Sequence, residues 1–365
     1  MKQNLRNEFL EEVIGFLRGE IKEFSVVVMP DFFLDRLINV DYDVQTFLEN
    51  IEQVTKRKGG SIDEINQIEL RGGNAVNTAS ALATLNAKVT PIVCTDKLGF
   101  ELIKHHLKLL KVNFSYIKTL EKLSMTTAIE LRTKTGKVNV MLRDLGTLAD
   151  FGPQNLDEND FETIEKADYV CVFNWAGTRR FGTQLAKTVF KHAKERGKGK
   201  TYYDTADPTP NIAKIPELTK SILQSKCVHI LSVNENEAAC YASQLSNKIA
   251  KFGKKLPFDK LAMKSARILA SHLSARIDLH TTSFSATFTK KDETIVSAFK
   301  IPVLRATGAG DAWNAGNIIA DAHRLSDGGR LTLANAVAAY YISSPDGTHP
   351  TRKQLIKFCE KTRID

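Results

Sequence analysis

Ala306-Thr307-Gly308-Ala309-Gly310-Asp311 decides how the rest of this chain is read. A small-residue turn ends in a single carboxylate, and an apolar, helix-like run follows it (Ala312, Trp313, Ala315, Gly316, Ile318, Ile319). The two glycines let the backbone come close to a ligand and point successive N–H groups one way. A helix start adds the positive end of its dipole, so the turn is shaped for an anion. A carboxylate beside a bound phosphate is repelled unless its task is to take a proton from an attacking hydroxyl. An anion cradle with an adjacent base is the minimal kit for phosphoryl transfer to an alcohol. The competing reading is an Asp N-cap after a glycine turn, with no chemistry attached.

A second stretch bears on the choice. Arg71-Gly72-Gly73-Asn74-Ala75-Val76-Asn77-Thr78-Ala79 follows an alternating segment (Ile65, Ile68, Leu70) and leads into Ala81-Leu82-Ala83-Thr84-Leu85. The pattern reads as strand, diglycine turn and alanine-rich helix. Paired glycines allow close approach or hinge motion, and Asn74 and Asn77 offer amides near the helix start. On its own this is also what a tight turn with a capping Asn looks like.

In this order the two stretches resemble the paired signatures of the ribokinase-like (PfkB) carbohydrate kinase family. Asn234-Glu235-Asn236-Glu237, placed after the apolar run Val228–Val233, matches that family's Asn-x-x-Glu motif. The resemblance runs over roughly residues 24–358 and is specific for fold and reaction type, weak for substrate. It implies an α/β fold: a doubly wound, mostly parallel sheet flanked by helices, with a small β lid. It also implies a kinase with ATP as co-substrate and Mg²⁺ as metal, held by Asn234 and Glu237 directly or through water. Asp311 would be the general base, with Gly308, Ala309 and Gly310 as the catalytic cradle. Nucleotide contacts would come from Thr307, His280, Asn335, Asn234 and Glu237 together with the cradle glycines. Acceptor contacts would come from Asp35, Gly72, Gly73, Asn74 and Asn77, and from Asn174, Arg179 and Arg180.

The departures from the family pattern narrow less. Pro30-Asp31-Phe32-Phe33-Leu34-Asp35 fits the first-strand motif whose last carboxylate holds substrate hydroxyls, with Pro30 where a glycine is usual. Arg305 stands where relatives carry an aspartate that helps hold a monovalent cation, and a guanidinium cannot coordinate potassium. His280-Thr281-Thr282-Ser283-Phe284-Ser285-Ala286 replaces a Thr-x-Gly-x-x-Gly turn beside the nucleotide, which leaves the donor open among ATP, another triphosphate and ADP. Asn174 replaces a substrate-binding glutamate of ribokinase, and Arg179-Arg180 follow it; these two, with Arg71, Arg132 and Arg143, are candidates for clamping a substrate phosphate. The acceptor is therefore a sugar, a nucleoside or a sugar phosphate. A non-catalytic ligand sensor on the same fold is the alternative from another class. A dinucleotide-dependent oxidoreductase is disfavoured, because no Gly-x-Gly-x-x-Gly follows the first strand.

Composition sets the frame. The 365 residues carry 51 Lys+Arg against 42 Asp+Glu, a net charge of +9, which suits small anionic ligands. The modest basic cluster of Lys248, Lys251, Lys254, Lys255, Lys260 and Lys264 lacks aromatic interleaving and reads as a solvated face, so no nucleic-acid partner is expected. The five cysteines (94, 171, 227, 240, 359) show no metal-ligand spacing and point to buried thiols in a reducing compartment. No segment reads as a leader or as long enough to span a membrane, and a cytoplasmic protein is expected.

Residues 1–23 form an N-terminal helical extension, and 24–365 a single kinase-type domain. Its lid comes from about 36–71 and 124–143, with Thr135-Gly136 at a hairpin turn. Residues 44–57 read as a helix inserted where lid strands normally come, with the N-terminal helix beside it. From about residue 160, strands alternate with helices at 181–196, 211–224, 236–248, 258–274, 311–323 and 331–343. Exposed lid strands leave a homodimer open.

Overall fold

The computed structural model describes residues 3–133, 136–247, 249, 256–305, 307–344 and 347–362. Ala306, Thr135, Lys248, Lys251, Lys254 and Lys255 lie outside the described residues. Along the chain come β1 (Ser25–Met29), β2 (Phe33–Asp43), β3 (Asn66–Gly72) and β4 (Lys88–Pro91). The short pair β5 (Cys94–Thr95) and β6 (Lys118–Thr119) precedes β7 (Ser124–Thr133) and β8 (Gly136–Asp144). The second half adds β9 (Tyr169–Phe173), β10 (Lys200–Asp204), β11 (Ile230–Val233), β12 (Arg276–His280), β13 (Phe284–Phe288) and β14 (Glu293–Ser297).

The apolar run Val26–Met29 is buried because β1 lies inside the main sheet, parallel to both β4 and β9. That sheet has eight strands in the order β14-β13-β12-β11-β10-β9-β1-β4, parallel among the described residues except that β13 runs opposite to its neighbours β12 and β14. Helices Gly182–Arg196, Glu235–Leu245 and Phe258–His272 cover one face through Leu185, Val189, Tyr241 and Leu269. Helices Asn74–Thr84, Ala309–Ala322 and Asp327–Ser343 cover the other through Ala79, Leu82, Ile318 and Val337. Small residues set that second layer close. A methyl on Gly316 would come within 2.7 Å of Ala334 Cα, so the last two helices touch backbone to backbone.

The lid is a separate four-stranded sheet, β3-β2-β7-β8. The helix expected at 44–57 is present as Val44–Lys56, capped by Asp43, whose carboxylate accepts from Thr46 N at 3.1 Å. It follows a lid strand and does not replace one: the alternation from Phe33 to Asp43 makes β2, which bonds β3 and β7.

Two further expectations are corrected. The helix expected at 211–224 is broken into a 3₁₀ turn (Thr209–Lys214), one α turn (Ile215–Leu218) and a π turn (Thr219–Leu223), as Pro210 and Pro216 each remove a backbone donor. The N-terminal helix Gln3–Arg18 does not sit beside the lid. It docks on helices Asp327–Ser343 and Arg352–Thr362, burying Leu10, Val13, Ile14 and Leu17. Phe9 fills the space over Gly328, and Glu12 accepts from the Ser326 amide at 2.7 Å. Among the described residues no helix is long and apolar enough to cross a membrane. All five cysteines are free thiols.

Candidate active site

In open α/β sheets, ligand sites lie beyond the carboxyl ends of the parallel strands. Here those ends deliver Asp31 after β1, Asn174 after β9, Asp204 at the end of β10, Asn234 after β11 and His280 at the end of β12. Gly72 and Gly73 arrive from the lid, and Gly308 begins helix Ala309–Ala322. Gly308 has φ 83°, a left-handed conformation suited to glycine, and a side chain there would strike the Tyr341 hydroxyl. Gly308, Ala309 and Gly310 remain partly accessible and Thr307 is exposed, so the cradle is open.

Asp311 sits in the first turn of that helix and is only 5% exposed. One carboxylate oxygen accepts from Asn74 Nδ2 at 2.7 Å, the other from Asn77 Nδ2 at 3.0 Å. The two asparagines lie three apart and so share one helix face, which the diglycine turn aims at Asp311. Burial, with the charges of Asp204 and Asp31, outweighs these two hydrogen bonds and pushes the Asp311 carboxyl up from 3.8 to about 7. A carboxylate balanced near neutral pH can take up a proton and release it again.

Asp31 was not singled out from sequence, although it stands at the end of the buried strand run. It is fully buried and caps helix Asn74–Thr84, accepting from Asn74 N and Ala75 N, both at 2.9 Å. Asn174 Nδ2 donates to the same carboxylate at 2.7 Å, while its Oδ1 accepts from Gly177 N at 3.0 Å. The Asn174 amide is thus spent on shaping the site, with its backbone at φ 48°. The next carboxylate, Asp35, lies on β2 against Gly72, where any side chain would collide with it. Burial raises its carboxyl to about 6, against the Thr126 hydrogen bond and the nearby Arg143 charge. Gly73 has φ 91° and leaves its Cβ position only 2.8 Å from Phe32 Cα.

On the far side, Asp204 accepts from Asn314 Nδ2 at 2.7 Å and Ala206 N at 2.9 Å. Asn234 and Glu237 form a reciprocal capping box: Glu237 N donates to Asn234 Oδ1 at 2.9 Å, and Asn234 N and Nδ2 donate to Glu237 at 3.0 and 2.8 Å. Burial, then Asp204, Asp207 and Glu235, push the Glu237 carboxyl well up. No group of three or more His, Cys, Asp or Glu side chains among the described residues could hold a metal alone. The convergent acidic groups suit a cation that keeps most of its water, since Mg²⁺ commonly uses one or two carboxylates plus ligand phosphates.

His280 stands at the cradle: its Cε1 is 3.5 Å from where a Gly310 methyl would be, and its ring leans on Trp313 at 5.0 Å. Its Nε2 is buried without a hydrogen-bond partner among the described residues, and burial holds the ring neutral. Asn335 is buried and committed, accepting from Trp313 Nε1 at 2.9 Å and Ser285 Oγ at 2.6 Å.

The arginines separate. Arg180 is exposed and pairs with Asp150 at 2.9 Å, and Arg132 is exposed and pairs with Asp41, also at 2.9 Å. Arg179 donates to Pro210 O and to Asn211 Oδ1, both neutral acceptors. Burial and the neighbouring Arg143 charge disfavour its cationic form. Arg143 itself lies over the Phe33 ring, 5.2 Å from its centre, on the strand that carries Asp35.

A family model described as pfkB family carbohydrate kinase matches residues 42–354, beginning within β2, so Asp31 and Asp35 are placed by the structure alone. No curated protein matches the sequence. Adenosine kinase from Sinorhizobium meliloti shares 17% identity at a TM-score of 0.70, over 93% of this chain and 99% of that one. Ribokinase from Cryptococcus neoformans var. grubii serotype A in complex with ADP shares 14% at 0.69, over 93% and 99%. Arabidopsis thaliana ribokinase complexed with ribose and ATP shares 18% at 0.68, over the same proportions. At such identities the structural likeness establishes the fold. With the family model matching most of its length on that fold, the chain belongs to the pfkB family of carbohydrate kinases.

Proposed function

We propose that this kinase moves the γ-phosphoryl group of ATP to a hydroxyl of a sugar or sugar-like acceptor, with Asp311 as general base. The observation that carries the proposal is a buried carboxylate held by two asparagine amides directly behind an open glycine turn at a helix N-terminus. The acceptor oxygen attacks phosphorus as its proton passes to an Asp311 oxygen, and the bond to the β-phosphate oxygen breaks, releasing ADP. Backbone N–H groups of Gly308 to Gly310 stabilise charge on the moving group. Asp35 orients acceptor hydroxyls at the lid junction. Mg²⁺, when bound, would supply charge neutralisation at the nucleotide phosphates, and Asn234 and Glu237 would hold it directly or through water. Five free thiols suit a reducing compartment, and we place the activity in the cytoplasm.

One observation favours a narrower acceptor. Arg143 and Arg179 lie at the Asp35 side of the site, Arg143 facing Asp35 and Asp31 without a direct ion pair among the described residues and Arg179 bonded only to neutral acceptors. A sugar phosphate would give both guanidinium groups a direct anionic partner. The test is a phosphoryl-transfer assay over neutral sugars, nucleosides and sugar phosphates, with ATP and ADP as donors, comparing wild type with Asp311→Asn. Turnover by the variant close to wild type would remove Asp311 from its role.

A further inference from the structure

Arg71 lies near the end of β3, immediately before the diglycine turn. Its Nε donates to Asn77 Oδ1 at 3.2 Å, and Nη2 meets His349 Nδ1 at 3.3 Å. No carboxylate pairs with it among the described residues, although Asp311 is near enough for its charge to favour the guanidinium. Half-buried and bonded only to neutral partners, the guanidinium has the Asp311 carboxylate within reach of its field.

The geometry shows where that field goes. Arginine has donors and no acceptor, so Asn77 must turn its oxygen to Arg71 and its NH₂ to Asp311. One amide therefore stands between the guanidinium and the base. A direct ion pair would occupy a carboxylate oxygen and weaken the base, whereas the interposed amide leaves that oxygen bonded only to a neutral donor.

The other neighbour is arranged to match. His349 is 7% exposed, stacks on Tyr341 with ring centres 4.6 Å apart, and faces Ser80 Oγ at 3.1 Å through the same Nδ1. Burial and then the Arg71 charge keep it neutral, so it holds Arg71 without repelling it. The titratable and charged groups around Asp311 are Asp31 and Asp204, which oppose its ionisation, and Arg71 and Tyr341. Around Arg71 stand His349, His106 and Tyr341, and Arg305 lies over the Tyr341 ring.

We propose that Arg71, clamped between Asn77 and His349, is a positioning residue for the base: it fixes the Asn77 amide toward Asp311 and lends it a counter-charge across that amide. The proposal rests on Asp311 being the base, and its test reads Asp311 directly. Asp-selective ¹³C labelling, with the signal assigned through Asp311→Asn, gives the carboxyl titration in wild type, Arg71→Gln and Arg71→Lys.

Arg71→Gln should move the Asp311 midpoint upward by about one pH unit or more, and the acid limb of kcat with it. Arg71→Lys keeps the charge but loses the Nε bond, so its midpoint should stay near wild type while kcat falls and both KM values hold. An unmoved midpoint in Arg71→Gln would overturn the proposal. If that variant does not fold, a wild-type kcat or a raised midpoint in Arg71→Lys would do so. Absence of any phosphoryl transfer by wild type would sink the kinase reading, while the carboxyl titration still decides what Arg71 does.

Discussion

Replacing Asp311 by asparagine should cut turnover severely and, at alkaline pH, make the protein more stable. The fold lifts the Asp311 carboxyl from 3.8 to about 7. Below pH 3.8 both folded and unfolded chains carry the proton and the group contributes no difference. Between 3.8 and 7 the unfolded chain ionises first, so stability falls as pH rises. Above 7 the loss is complete, about three pH units at 1.36 kcal/mol each, or roughly 4 kcal/mol. The variant has no such titration. Its new amide presents NH₂ toward one of the two asparagine donors, which costs about 1–3 kcal/mol at every pH. The difference between variant and wild type should therefore grow by about 3 kcal/mol from pH 5 to pH 8. With about 2 cal/mol/K of unfolding entropy per residue, that is roughly 3–4 °C in Tm for this chain. Thermal unfolding of both proteins at matched pH reads the difference, and groups common to both cancel. A Tm difference that stays flat from pH 5 to 8 would refute the argument that burial holds this carboxyl near neutrality. Phosphoryl transfer should fall by about 10²–10⁴-fold throughout.

Potassium and sodium chloride at matched ionic strength should support nearly equal activity, because Arg305 lies against Gly347 and over the Tyr341 ring as a resident cation; a several-fold potassium effect contradicts this. If the best acceptor carries a phosphate, Arg143→Ala or Arg179→Ala should raise its KM about tenfold or more. Arg180→Ala, whose pair with Asp150 is exposed, should leave it alone; unchanged KM in the first two variants removes the phosphate clamp. Gly72→Ala places a methyl on the Asp35 carboxylate and should raise acceptor KM while sparing nucleotide affinity, read by steady-state kinetics with each substrate varied; an unaffected acceptor KM would dissociate Asp35 from the acceptor.

What could be read from sequence was local. Gly308 to Asp311 and Gly72 to Asn77 announce themselves because backbone shape, small residues and chemistry sit in consecutive positions. The alternating strands and helices after residue 160 were legible for the same reason. Asp31, Asp204 and His349 were not, because each takes its meaning from a partner far along the chain: Asp31 from Asn174, Asp204 from Asn314, His349 from Arg71. An acidic residue ending an apolar strand was the available signal for the first two. The broken segment 209–223 carried a readable warning in its two prolines. The docking site of the N-terminal helix did not, since an amphipathic face states what it avoids and not what it meets.

That docking has a consequence for how the molecule is made. The helix of residues 3–18 is synthesised well before the helices that begin at Asp327 and Arg352, yet those helices cover its Leu10, Val13, Ile14 and Leu17. Arg18 reaches Glu360, and Arg352 closes the helix end at Leu17 and Gly19. During translation this segment must wait, apolar stripe uncovered, until the helices Asp327–Ser343 and Arg352–Thr362 emerge. Contacts of such wide sequence separation form late and slow folding. The nascent chain thus carries an uncovered apolar stripe until those helices arrive, an interval in which premature association is the characteristic hazard.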